Sequence, residues 1–294
     1  MALLVSTTER EQQREILKTL QMKLWLENKM AQELRSLFKQ IGNDFYDKYS
    51  YTGTVVNLDA YELDMAGVLR KWYRRTADIF SKNIRADIKV SSNLLEYKDD
   101  NILANDTDKQ DINLAVATSL LVFIESRSKE QANLIMNTTK DIIGESIRRI
   151  DKQSIDTGVP LTREGVASSV RRDFNASSVV RSQTIATFEV GMVASESKEI
   201  EATVLNESDA TLLEDSGASI SLQNKMVKNW NADLDSKTRM AHAEADFTYK
   251  YSPIPVGGLF SVGGEDLKYP RDPNGSARNV INCRCESLYF AKDI

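Results

Sequence analysis

The sequence predicts an α+β protein in which long helices come first and a small mixed domain with short strands comes last. Two observations carry this prediction. All five prolines lie at position 160 or later, and five of the thirteen glycines fall between Gly257 and Gly275, so helix can run nearly unbroken early in the chain while its end demands turns. Apolar residues also recur at three-to-four spacing from Leu17 onward, the period of a helix with one buried face.

Taken in order, Ser6-Thr7-Thr8-Glu9 has the form of a capping box and opens the first long helix. Leu17, Leu20, Leu24, Leu34, Phe38, Ile41 and Phe45 make its apolar stripe, while Glu11, Arg14, Glu27 and Lys39 face water. Straight from Ser6 to Gln40, such a helix spans roughly 50 Å. Asn57-Leu58-Asp59-Ala60 starts the return leg of a hairpin, with Leu63, Val68, Leu69, Trp72 and Phe80 as its buried set. The stretch from Glu96 to Asp111 is acidic, Asn-rich and poor in apolar residues, and reads as a linker.

A further long helix is expected from about Asp111 to Ser154, burying Ala117, Leu121, Ile124, Ile135, Ile142, Ile147 and Ile150, and ended by Gly158 and Pro160. Thr162 can cap a shorter helix through Phe174, and Ser177 or Ser178 can open another through about Ala202. Near the C-terminus, Lys225 to Trp230 and Val280 to Tyr289 suit short strands. The organisation is thus an N-terminal helical arm over 1–105, a helical middle region over 106–221 and a C-terminal α+β part over 222–294.

Composition bounds the function. With 41% hydrophobic and 28% charged residues over 294 positions, the chain has the profile of a folded globular protein. A net charge of -5 argues against a generic nucleic-acid coat, since non-specific affinity comes from Lys and Arg neutralising phosphates. Any DNA contact must be local, at Arg70-Lys71-Trp72-Tyr73-Arg74-Arg75, Arg148-Arg149 or Arg171-Arg172, and the plainer reading puts these charges on the wet faces of helices. Two cysteines one residue apart give no disulfide framework and fit a reducing cytoplasm. The opening Met1-Ala2-Leu3-Leu4-Val5 is too short an apolar run for a signal peptide or a spanning helix, so no membrane association is expected.

The residues with chemistry lie in the last quarter. On a helix starting near Asp235, residues Asp235, Arg239 and His242 share one face, with Asp235 capping the helix and pairing with Arg239. His242 is the only histidine in the chain. Cys283 and Cys285 both reach a soft metal if the backbone bends between them, so that zinc with Cys283, Cys285, His242 and a carboxylate from Asp235, Glu244 or Asp266 is chemically allowed. Against this stands the bland alternative of two small, inert, buried thiols. As an enzyme the set is poorer: His242 and Asp235 form a base and its orienting acid and either cysteine a nucleophile, yet the sequence has no nucleophile elbow, no phosphate-binding glycine loop and no H-E-x-x-H. A polar network that locks a loop-rich domain is the favoured reading, with no catalytic residues.

Six pieces in order, Gly158-Val-Pro-Leu161, Ile185-Ala-Thr-Phe-Glu189, Trp230, Asp235 to His242, Phe260 to Pro270 with Asp272 following, and Ile281-Asn-Cys-Arg-Cys285, resemble the phage Mu F-like minor head proteins, also called phage head morphogenesis proteins. The resemblance covers about Asp111 to Tyr289. It departs from the family pattern at Thr187 and Phe188, where members carry Arg and Thr, and in the length of the acidic segment Glu207 to Gly217.

The resemblance implies a non-enzymatic minor head (capsid) protein of a tailed bacteriophage, assembled in the host bacterial cytoplasm and held in the virion, in the head interior near the portal. It would bind the portal protein, meet capsid or scaffold and packaged DNA, and act in head assembly and in DNA packaging or ejection. Trp230, Asp235, Arg239 and Asn282 would then be structural motif residues, and 1–105, outside the match, the docking arm. The alternatives are a metal-dependent nuclease or hydrolase built on His242, Cys283 and Cys285, and an assembly factor absent from the finished particle.

Overall fold

The computed structural model describes residues 7–82, 106–208, 211–213, 219–221 and 223–291. The fold is α+β, with the long helices first and the short strands last. The helices are α1 (Thr7–Thr52), α2 (Glu62–Ser81), α3 (Asp106–Thr157), α4 (Arg163–Glu207), α5 (Met240–Tyr251) and α6 (Ala277–Val280). A 3₁₀ turn, Leu58–Tyr61, precedes α2. The strands are β1 (Thr211–Leu213), β2 (Ser219–Ser221), β3 (Met226–Asn231), β4 (Ile254–Pro255), β5 (Phe260–Val262), β6 (Glu265–Leu267) and β7 (Glu286–Ala291). The Ser6 cap and most of the Glu96 to Asp111 linker lie outside the described residues, though from Asp106 that acidic stretch is already helix α3.

The chain divides into two compact units. One, all helical, comprises Trp25–Tyr73 and Phe123–Thr187. Its core takes Leu26, Met30, Leu34, Phe38, Ile41 and Phe45 from α1, Met65, Leu69 and Trp72 from α2, Ile135, Met136 and Ile143 from α3, and Val166, Val170 and Phe174 from α4. Phe38 meets Phe174 edge to face with centroids 6.0 Å apart, a geometry that aromatic quadrupoles favour. Arg181 of α4 donates to the Ile135 carbonyl at 2.7 Å and to Thr139 Oγ1 at 2.9 Å of α3. The turns are made by local chemistry. Asn57 Oδ1 accepts from the Asp59 amide at 3.1 Å to start the return leg, and Gly158 takes the left-handed conformation, φ +66°, that ends α3. Thr162 Oγ1 accepts from the Gly165 amide at 3.0 Å and caps α4.

The other unit holds the described residues of Met1–Leu24, Arg74–Val122 and Phe188–Ile294. Its centre is an antiparallel sheet in the order β4-β3-β7, with Val227 opposite Phe290 and Trp230 opposite Ser287. Because side chains alternate along a strand, Met226, Lys228 and Trp230 share one face of β3, and all three are buried. Two further antiparallel pairs, β1 with β2 and β5 with β6, complete the strands described.

Several expectations need correction. Leu17, Leu20 and Leu24 are about half exposed, and Glu27, expected in water, is buried and accepts from Thr187 Oγ1 at 3.2 Å. The buried row of α1 runs through Leu26, Met30, Leu34 and Phe38; at about 100° per residue, Leu17 and Leu24 stand roughly 100 to 120° from its mean direction. Leu63 is 83% exposed, with Met65 and Tyr73 buried in its place. In α3 the buried row is Ile112, Val116, Leu120 and Ile124, one residue away from the expected Ala117 and Leu121. There is no break at Ser177 or Ser178: their hydroxyls donate back to the carbonyls of Phe174 and Asn175, so α4 is one helix of 45 residues. The last strand starts at Glu286, not Val280, since Ala277–Val280 is a helical turn.

Candidate metal centre

His242 sits in the first turn of α5, which starts at Met240 and not near Asp235. Arg239 is the N-cap residue; its carbonyl accepts from the amides of His242 and Ala243, both at 3.0 Å. One turn after His242, Asp246 Oδ1 accepts from the Ala232 amide at 2.7 Å and ties α5 to the exit of β3. The imidazole packs against Trp230, with ring centroids 5.4 Å apart and planes at 89°. Trp230 in turn meets Phe260, also at 5.4 Å.

The two cysteines arrive from the other side. Asn282 takes a left-handed φ of +56°, which asparagine tolerates better than most residues, and this reverses the chain after α6. The backbone then runs into β7, so that Cys283 and Cys285 face one way and Arg284 the other, as alternation in an extended segment dictates. Both thiols are buried, at 1% and 3% exposure, beside His242 at 1%. Arg284, facing out, grips Asp235 through both guanidinium nitrogens and also pairs with Asp233 at 3.2 Å.

His242 Nδ1 lies 3.3 Å from Cys285 Sγ and 3.6 Å from Cys283 Sγ. The three donor atoms all fall within 4.8 Å of one another. A tetrahedral zinc with Zn–N near 2.05 Å and Zn–S near 2.3 Å sets its nitrogen and sulfur ligands about 3.6 Å apart. The cluster is therefore of the size that holds a metal ion, and its nitrogen and sulfur donors suit zinc chemically. The Cys285 thiol, donating toward Cys283, holds the Cys283 sulfur well below the usual thiol range; burial opposes this, while His242 and Arg271 add to it. The same bond, together with burial, pushes the Cys285 thiol up.

Of the expected site residues, the structure brings together Trp230, His242, Cys283 and Cys285, with Asn282 supplying the turn. It separates Asp235 from Arg239. Asp235 lies in the loop before α5, where Arg284, first, and the Lys237 amide hold its carboxyl well below the usual range. Arg239 instead donates to the Ile281 carbonyl. Among the described residues no carboxylate joins the three donors, so Asp235, Glu244 and Asp266 do not supply a fourth ligand.

A second polar centre was not expected. Lys228 Nζ contacts Glu199 Oε1 at 2.7 Å with both side chains fully buried; the same carboxylate accepts from Tyr289 Oη at 2.7 Å and from the Gly257 amide at 3.0 Å. Its one sequence signal is the position of Lys228, two residues from Trp230 on the inward face of a strand. Arg271, also unexpected, is 2% exposed with a left-handed φ of +69°, and its guanidinium lies against Gly191, where a Cβ would come within 2.4 to 2.6 Å of it. Among the described residues no helix is long and apolar enough to cross a membrane. Comparison with known protein families, with curated proteins and with solved structures finds no significant match for the chain.

Proposed function

We propose that this chain is a minor head protein of a tailed bacteriophage, bound to the portal and acting as a structural part in head assembly and in DNA packaging or ejection. The observation that carries the reading is convergence. The C-terminal motif pieces that resemble the Mu F-like proteins are spread over more than fifty positions, yet Trp230, Phe260, Cys283 and Cys285 belong to one buried cluster, and His242 packs against it. Motif residues that meet in a core do architectural work, and donors exposed by only 1% to 3% are poorly placed to meet a substrate.

Two further features support it. Leu17, Leu20 and Leu24 of α1 are exposed at helical spacing, the pattern a helical arm presents to a partner's groove, here the portal. In the run from Arg70 to Arg75, Trp72 and Tyr73 are 3% and 1% exposed, so any contact with packaged DNA rests on cations and not on base stacking. In the same reading His242, Cys283 and Cys285 hold zinc as a staple for the C-terminal unit.

Quantitative mass spectrometry of mature particles and precursor heads, scaled to the portal subunit, tests the proposal. A fixed low ratio to portal in both supports it. Presence in precursors alone would make the chain an assembly factor, and absence from both would overturn the virion reading.

A further inference from the structure

Among the described residues, the three donors leave one tetrahedral position of a bound zinc without a ligand. The sequence contains one histidine and two cysteines, so every nitrogen and sulfur ligand of the usual kind is already in the cluster. No carboxylate of the described residues joins it. Asp246 is engaged on the Ala232 amide, and Asp235 and Asp233 on Arg284. Behind the cluster the wall is apolar, made by Trp230, Phe260, Val262 and Ala245, and offers no carboxylate, imidazole or thiolate.

His242, Cys283 and Cys285 all help to line a small cleft between the loop before α5 and the Asn282 to Cys285 turn, with room for roughly one water molecule. Lys237, Arg239, Arg284 and Asp233 line it; Arg284 is held by Asp235 and Asp233, so Lys237 and Arg239 carry its excess positive charge. A cleft of that charge favours an anionic donor.

Resting on the reading that these residues bind zinc, we infer that the metal keeps an open fourth position toward this cleft, filled by an exchangeable water and available to small anions. Two thiolates, one imidazole and a water form the donor set of an open zinc site, in contrast to the closed four-ligand sets of structural zinc. The site is thus a receptor for a small free anion that can take the place of one water.

Cobalt substitution of the full chain tests this, because cobalt(II) reports coordination in its visible spectrum. Azide titrated into the cobalt protein should change the ligand-field bands saturably, and Lys237→Glu should weaken azide several-fold while leaving the cobalt content unchanged. Cobalt bound with thiolate charge-transfer bands but a spectrum indifferent to azide would overturn the inference and leave the metal site standing. A folded protein that takes up neither zinc nor cobalt would overturn the metal reading itself, and the inference with it.

Discussion

Lys228 and Glu199 form an ion pair at 2.7 Å with neither side chain exposed to solvent. Glu199 comes from α4 and Lys228 from β3, and the carboxylate also receives Tyr289 of β7 and the Gly257 amide, so one side chain joins a helix, two strands and a turn. Lys228 has a second acceptor in the Lys268 carbonyl at 2.8 Å and lies over the Phe260 ring.

Removing one partner of such a pair should cost more than the pair itself contributes, since the survivor stays buried and uncompensated. Glu199→Ala is expected to destabilise by about 3 to 5 kcal/mol, and Lys228→Met by less, because Tyr289 and Gly257 continue to satisfy the carboxylate. Urea unfolding of both variants gives the ranking; the reverse order would mean that Glu199 is not the hub.

The same network predicts alkaline sensitivity. Burial, and then the Glu199 carboxylate, push Tyr289 well above the ordinary phenol value of about 10, and burial with Asp44 does the same to Tyr61. The folded state therefore favours the neutral phenols. Their contribution is complete below pH of about 10, where the unfolded chain's phenols are also protonated, and is lost as pH climbs from there toward the folded values. Stability measured across that range should fall, and Tyr289→Phe should flatten the slope. A slope unchanged in Tyr289→Phe would place the alkaline loss elsewhere.

Helix existence was legible in the sequence; helix phase and helix ends were less so. The proline-free first half and the Gly158 stop set the long helices correctly. Yet a three-to-four count cannot say which of two neighbouring rows is covered, and Leu121 loses to Leu120 for that reason alone. Ser177 and Ser178 read as a helix start because serine caps helices, but a serine hydroxyl can equally bond the preceding turn, and the surroundings here select the second. The cluster of His242 with Cys283 and Cys285 was legible from residue type. The partner of Asp235 was not, since Arg239 and Arg284 are equally good in sequence and only the orientation of the strand puts Arg284 beside it.

Gly191 should not tolerate a side chain. A Cβ there would stand 2.4 to 2.6 Å from the Arg271 guanidinium, which is buried on a left-handed backbone. Gly191→Ala is expected to cost about 1 to 3 kcal/mol through overpacking. A double-mutant cycle with Arg271→Ala should recover part of that loss, and strictly additive effects would show that the two residues do not collide.

Trp230 packs against His242 and Phe260 and is 1% exposed, so Trp230→Ala should cost about 3 to 5 kcal/mol. It should also lower zinc affinity, because the indole packs against the imidazole ligand and helps to hold its orientation. Thermal unfolding and zinc titration read the two effects separately, and a variant of unchanged stability would show that this ring does not organise the unit.

Metal removal gives the sharpest thermodynamic test of the staple. A ligand that binds only the folded state adds about 2.7 kcal/mol when free at 100 times its dissociation constant. The histidine is 41 to 43 positions from the cysteines, so the unfolded chain offers only the Cys283-Arg284-Cys285 pair and most of that free energy appears as stability. Protein unfolded in urea with excess zinc should therefore have a clearly higher midpoint than the same protein with chelator, and re-adding zinc should restore it. Cys283→Ser should abolish the difference between the two conditions while retaining the helical circular dichroism of the long helices. Equal midpoints in wild-type protein with and without zinc would leave the three side chains as an ordinary buried thiol and imidazole cluster.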